Sequence, residues 1–326
     1  MNRSLLALTC LIAILSGGCA SSSKETPLMS IDGSHLPSPD TVLNIKGLGP
    51  CTDNPDRSLH LNSREPVTVL VHGCFGSSGQ FRGLAQVLAF QGQQTACFTY
   101  DDRAGLNESA AALASDVSQL AQKVSGEVTI LGHSQGALIS RKALTDDKRF
   151  PAAGNTARLR LVTVSGPFSG IAAAKTCGSP IAKVFSLGLV PLTCELATGD
   201  KWTDITYSSE FIRNPGRLRK EVQGYLKIDT DERNACRRVE NGKCVRSDFI
   251  FSLAEQRNAL IDKSSDTHLV EVEAGHVEIV GDNQVAPVKL ISVLQENGVI
   301  RLTEPERADA FNRLLAKIYH DDSLAR

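Results

Sequence analysis

The chain has 326 residues, 41% of them hydrophobic and 22% charged, and 35 Lys and Arg against 36 Asp and Glu leave a formal net charge of −1. A surface so balanced offers no basic field for nucleic acid, and the length allows one large domain or two ordinary ones. Nine cysteines in one chain fit export to an oxidising compartment.

At the front, Met1-Asn-Arg-Ser precedes an apolar run from Leu5 to Leu15, too short to span a bilayer comfortably, and then Ser16-Gly-Gly-Cys19. Residues 20–44 are rich in Ser, Pro, Asp and Gly and read as a tether. Val67 to Val71 reads as a strand, Phe81, Leu84, Ala85 and Leu88 repeat at helical spacing, and Thr95 to Tyr100 reads as the next strand. Ala110, Leu113, Ala114, Val117, Leu120, Ala121 and Val124 form an amphipathic series that Gly126 stops. A strand over 127–131 then runs into Gly132-His-Ser134-Gln-Gly136, followed by a helix from 135 to about 145 and a strand from Leu159 to Val164. Such a βαβ series predicts an α/β fold with one open, mostly parallel sheet covered by helices. Beyond an insertion at about 165–222 come the strand-like Gly224 to Asp229, the strand His268 to Val272, and a closing helix with Pro305 early and Phe311, Leu314, Leu315 and Ile318 on one face. No internal repeat is present, and the sheet needs the whole span, so one domain over 45–326 is expected.

The most informative element is the turn at Ser134. A serine on a tight strand-to-helix turn has its hydroxyl lifted clear of the sheet, and the glycines at 132 and 136 remove the Cβ atoms that would collide there. The following helix offers backbone N–H groups without intrahelical acceptors, that of Gln135 among them, suited to negative charge developing on a substrate oxygen. The competing reading is an ordinary turn serine in a Gly-rich loop.

Four motifs together resemble the α/β-hydrolase superfamily, in its bacterial esterase and lipase branch, over residues of about 66–300. Val69-Leu-Val-His-Gly73-Cys-Phe-Gly-Ser77 is similar to that family's His-Gly oxyanion loop, and Tyr100-Asp-Asp-Arg103 falls where the family often has Asp-x-Arg-Gly. The elbow at Gly132 to Gly136 is the third, and Glu273-Ala-Gly-His276, just past a strand, is the fourth. The resemblance implies a serine hydrolase that cleaves carboxylic esters of small molecules or lipids through an acyl-enzyme on Ser134. It implies His276 as the base that takes the serine proton, ahead of His35, His60, His72, His133, His268 and His320. For the acid that orients His276, Asp248 is preferred, with Asp231 as the alternative and Asp229 or Glu232 behind. The oxyanion donors implied are the N–H groups of Gln135 and Cys74, with Phe75 as fallback for the latter. The family often inserts a cap after the strand ending at 164, where Phe168, Phe185, Leu187 and Leu189 are available to line an acyl pocket. Two other functions use the same features: a non-catalytic envelope scaffold, and an acyltransferase sending the acyl group to an alcohol or amine.

The leader resembles a bacterial lipoprotein signal, which implies removal of 1–18, lipidation of Cys19 and a membrane anchor; an ordinary secretory signal is the alternative. Ala20 after the cysteine favours, by that analogy, the outer membrane of the cell envelope. Cys236 to Cys244, around an Asn-Gly turn, reads as a small hairpin stapled by a disulfide, and Cys177 with Cys194 are spaced to staple another loop. Cys97 is left to pair with Cys51 or with Cys74. Arg213, Arg217, Arg219 and Lys220 read as a solvated basic loop. No dinucleotide fingerprint, phosphate loop or metal-ligand spacing is present, so no cofactor and no metal are implied.

Overall fold

The computed structural model describes residues 30–74, 76–151, 154, 158–171, 201–282 and 285–320. In chain order the strands are β1 Thr41–Leu43, β2 Leu48–Gly49, β3 Leu59–Leu61, β4 Val67–Val71, β5 Gln94–Phe98, β6 Val128–His133, β7 Leu159–Val164, β8 Val222–Asp231, β9 Cys236–Glu240, β10 Lys243–Ser247 and β11 Thr267–Glu273. Segments whose apolar, β-branched residues run without polar interruption take the centre: every residue of β4 and of β6 is buried, as a strand covered on both faces requires. The main sheet has the order β11-β8-β7-β6-β4-β5-β2, parallel except for the edge strand β2. The chain turns from β4 outward to β5 and then back to β6, so the order reverses beside β4. Crevices at such reversals, outside the carboxyl ends of the strands, are where ligands bind in sheets of this kind. The α/β class expected from the sequence, with one open, mostly parallel sheet covered by helices, is therefore present.

Period-two alternation divides the core between the sheet's faces. Val67, Val69, Ile130 and Leu161 meet Leu106, Leu113, Val117 and Ala137 on one side, from the helices Leu106–Ala121 and Gln135–Ala143. Leu70, Leu131, Val162 and Ile228 meet Leu84, Leu88, Leu290 and Leu315 on the other, from the helices Arg82–Phe90, Val288–Glu296 and Ala308–Tyr319. Each such Leu or Val withdrawn from water contributes about 2 kcal/mol.

Two expectations are corrected here and one open alternative is decided. The tether does not extend to 44: Ile31 packs on the second core, the Asp32 N–H donates to Gln86 Oε1 at 2.7 Å, and β1 pairs with β3, burying Leu43, Leu59 and Leu61. Arg219 is not solvated. It is buried and donates to the carbonyls of Ala143, Thr145 and Pro151, closing the C-terminal end of the helix Gln135–Ala143, where backbone acceptors are unpaired. Cys97 pairs with Cys51 rather than Cys74. The expected Cys236–Cys244 bridge is present, and the turn between its strands has positive φ at Asn241 and Gly242, as a tight hairpin requires. The leader, Cys19, Phe75, Cys177, Cys194, Phe185, Leu187 and Leu189 lie outside the described residues. Among the described residues no helix is long and apolar enough to cross a membrane. Disulfides in a chain of this kind point to an extracytoplasmic, oxidising compartment.

Candidate active site

Ser134 stands at φ 58°, ψ −124°, a conformation that costs a non-glycine residue of the order of 1–3 kcal/mol and persists only where its surroundings enforce it. They do so through the Ser134 N–H, which donates to Val164 O at 2.9 Å, and through Ser134 O, which accepts from the Ala137 N–H at 3.0 Å. A Cβ on Gly132 would lie 2.3 Å from Gly136 O, and one on Gly136 would lie 2.3 Å from Val71 O. Both glycines are thus demanded by the close approach of backbone on either side of the turn.

The loop after β4 closes over the same point. A Cβ on Gly73 would lie 2.9 Å from Ser134 Cβ and 3.4 Å from its Oγ, so only a glycine lets this loop sit against the serine. His72 is buried, its ring stacked on Tyr100 at 4.4 Å, and Tyr100 OH donates to His72 O at 2.8 Å. Burial holds the His72 imidazole below its ordinary pKa, hence neutral, with Nδ1 2.9 Å from Gly73 O. The Tyr100 motif therefore serves as the shelf beneath this loop. Cys74 follows at the exposed end, in neither described disulfide. Across the turn, Gln135 opens the helix, so its N–H has no intrahelical acceptor, and its side-chain amide donates to Asp102 O at 3.3 Å.

His276 arrives from the other end of the sheet. It follows β11, and its peptide is fixed from both sides: its N–H donates to Asp248 O at 3.0 Å and its carbonyl accepts from His133 Nε2 at 2.9 Å. The His133 and His276 rings lie 4.7 Å apart, which brings His276 against the residue preceding Ser134. Phe251 meets the His276 ring edge-on at 4.8 Å. His133, fully enclosed, is held well below its ordinary pKa by burial and stays neutral, a packing partner of His276.

The carboxylate beside His276 is that of Glu232, not Asp248. Glu232 Oε1 lies 2.9 Å from His276 Nδ1 and also accepts from Thr230 Oγ1 at 3.0 Å. Its Oε2 accepts from the N–H groups of Ile250 at 2.6 Å and Phe251 at 2.8 Å. Only 1% of Glu232 is exposed, and those donors are what make so buried a carboxylate tenable. Asp248 turns elsewhere: its Oδ2 accepts from the N–H groups of Val277 at 3.1 Å and Glu278 at 2.9 Å, holding the loop that carries His276. A Cβ on Gly275 would strike that carboxylate at 2.1 Å. Burial raises the Asp248 pKa. Asp231 pairs with Arg233, and Asp229 with Lys227 at 2.5 Å inside the core.

Ser134, Glu232 and His276 thus follow the carboxyl ends of β6, β8 and β11, and the His72-Gly73 loop follows β4. A carboxylate on Nδ1 keeps the proton there and leaves Nε2 as the accepting nitrogen. Among the described residues no group of three His, Cys, Asp or Glu is gathered as a metal set would be.

No protein-family model matches the sequence, and no curated protein does. Among solved structures the chain is similar to a lipase of Bacillus licheniformis in mature form, at 16% identity and TM-score 0.49, covering 80% of this chain and 99% of that one. It is similar to esterase B of Lactobacillus rhamnosis at 12% identity and TM-score 0.47, covering 88% and 90%. An esterase of Pyrococcus furiosus follows at 16% identity and TM-score 0.42, covering 72% and 80%.

Proposed function

We propose that this protein hydrolyses carboxylic esters through an acyl-enzyme on Ser134. The observation that carries the reading is the strained turn at Ser134, whose preceding residue His133 packs on a His276 with its Nδ1 facing a buried, fully bonded Glu232. Strain of this kind gathers at reacting groups, where lifting one hydroxyl clear of the sheet repays its cost.

In this reading Ser134 Oγ attacks the ester carbon while His276 Nε2 takes its proton, and Glu232 stabilises the imidazolium that forms. The oxyanion accepts from the Gln135 N–H and the Cys74 N–H, each such donor being worth about 3 kcal/mol in the transition state. The bond to the alcohol oxygen breaks, and that oxygen leaves with the proton from His276. Water then repeats the sequence, giving its proton to His276, freeing the acid and returning hydrogen to Ser134. Glu232 replaces Asp248 as the orienting carboxylate, while Asp248 positions the loop of His276. Lipidation at Cys19 and an envelope location complete the proposal, resting on the leader and consistent with disulfide formation outside the cytoplasm.

Turnover of p-nitrophenyl butyrate and covalent labelling by a fluorophosphonate are the direct tests. Both are expected in the native chain, and Ser134→Ala lowers hydrolysis by about 10⁴-fold or more and abolishes labelling. A Ser134→Ala chain that still labels would sink the assignment; a native chain that neither labels nor hydrolyses would return the fold to a scaffold.

A further inference from the structure

Between Glu232 and Asp248 the chain leaves the domain as a hairpin that the core does not use. β9 and β10 pair only with each other, and apart from the half-buried Cys236 every residue in them is exposed. A two-stranded hairpin open to water on both faces is marginal by itself. This one is held by the Cys236–Cys244 disulfide, the Asn241-Gly242 turn and an ion pair from Arg237 to Asp282 at 3.0 Å. Such fastening keeps the hairpin presented rather than packed.

What it presents is apolar and basic together. Val239 and Val245 are exposed on the hairpin, and Phe249 and Ile250 just beyond it. Arg237, Arg238, Lys243 and Arg246 stand against a single acid, Glu240. Arg238 lies directly opposite Arg246 across the ladder, a like-charge pairing that destabilises a hairpin in water and that an anion between the strands relieves. Arg238 leans on Glu240 at 3.0 Å, which leaves Lys243 and Arg246 without an ion pair among the described residues.

We propose that this hairpin, with Phe249 and Ile250, docks on an anionic lipid bilayer. Val245, Phe249 and Ile250 enter the headgroup boundary, and Arg238, Lys243 and Arg246, which share one face of the ladder, meet lipid phosphates, the pairing of apolar and basic groups that interfacial elements use. The surface is continuous with the candidate site: the Ile250 and Phe251 N–H groups hold Glu232 Oε2, and the Phe251 ring stands against His276. Docking there brings a lipid ester to the mouth of the site. The use of that proximity rests on the proposed ester hydrolysis; the docking is read without turnover.

The test is co-sedimentation of the full chain carrying Cys19→Ser, which removes any acyl anchor, with phosphatidylcholine vesicles or phosphatidylcholine mixed with phosphatidylglycerol. Binding is expected to the mixed vesicles, to weaken as salt rises, and to fall about tenfold or more in Arg238→Glu/Arg246→Glu and less in Lys243→Glu. Val245→Ser/Phe249→Ser weakens it several-fold through the apolar part. All these residues are exposed, so thermal unfolding is expected to stay unchanged and reports any misfolded variant. Inorganic phosphate that released the chain as fully as vesicle removal would make the site one for a free anion and overturn the bilayer. Equal binding to both vesicle types, or charge-reversed chains that bind like the parent, would also overturn it. Turnover of p-nitrophenyl butyrate is read in parallel: binding without turnover retains the docking and removes the ester reading, and turnover without binding does the reverse.

Discussion

The two faces of β8 carry similar groups and put them to different ends. On one face Tyr225, Lys227 and Asp229 point into the core: Lys227 is 0% exposed, bonds both oxygens of Asp229 at 2.5 and 2.7 Å, reaches Asp262 at 3.1 Å, and lies 5.5 Å from the Phe168 ring. On the other face Leu226, Ile228 and Thr230 lead to Glu232, one residue beyond the strand, whose carboxylate meets the imidazole of His276. Both carboxylates are buried and both have a nitrogen partner. The first pair is closed on all sides in mid-strand. The second lies where the sheet ends, beside a turn that offers a hydroxyl. Position along the strand, rather than residue type, separates a structural ion pair from a site.

The sharpest way to break that comparison is to neutralise Glu232. Glu232→Gln keeps the shape but removes the charge that stabilises a protonated His276, and kcat/KM for p-nitrophenyl butyrate is expected to fall about 10³-fold to 10⁴-fold, with binding of substrate little changed. If Asp248→Asn cost as much and Glu232→Gln little, the carboxylate roles would be reversed.

Asp248 ranks ahead of Glu232 in the sequence, although Glu232 is the carboxylate bonded to the His276 ring, for a local reason. Composition and period place a strand over 224–229, whereas β8 runs from Val222 to Asp231, so Glu232 is the first residue past its end. A strand extended by two residues puts Glu232 on the face of Ile228 and Thr230, the signal that raises it above the other candidates. Asp248 ranks first because its spacing from His276 suits one helix and one strand. It does lie close to that histidine, but bonded to its backbone loop. The central strands and the elbow were legible because unbroken β-branched runs and paired glycines have few other uses. The fold of residues 31–43 onto the domain was not, since a Ser- and Pro-rich stretch with one useful Ile and a three-residue strand carries too little period to read.

On the interior face the expected effect is on stability alone. Lys227→Met leaves Asp229 as a buried, uncompensated carboxylate and is expected to destabilise the fold by about 3–5 kcal/mol in urea unfolding, while kcat per folded molecule stays near native. Pairing it with Asp229→Leu should restore much of the loss. A large fall in kcat without a fall in stability would mean that this cluster communicates with the site.

Asp248 should behave as an intermediate between the two regions. Asp248→Ala strips the Val277 and Glu278 N–H groups of their acceptor, an expected loss of about 2–3 kcal/mol of stability. Because those bonds fix the loop of His276, kcat should also fall, by less than in Glu232→Gln, with the loss lying in kcat rather than KM.

A further buried carboxylate, Asp116, sharpens the contrast by having no ion pair among the described residues. Asp116, in the helix Leu106–Ala121, is pushed up to about 6, chiefly by burial, with the Gly47 N–H and the charge of Lys46 opposing. A folded-state pKa above the unfolded value of 3.8 means stability that is fully present below pH 3.8 and is lost as pH rises through about 6. Asp116→Asn keeps an acceptor for Gly47 and cannot ionise. It is therefore expected to lose nothing across that window and to exceed the native chain by about 1–2 kcal/mol at pH 7. Urea unfolding of both chains at a series of pH values from 4 to 7 checks this. Parallel stability profiles would mean that Asp116 is paired in the fold as firmly as Glu232 and Asp229, and that burial without a cation is not what sets it apart.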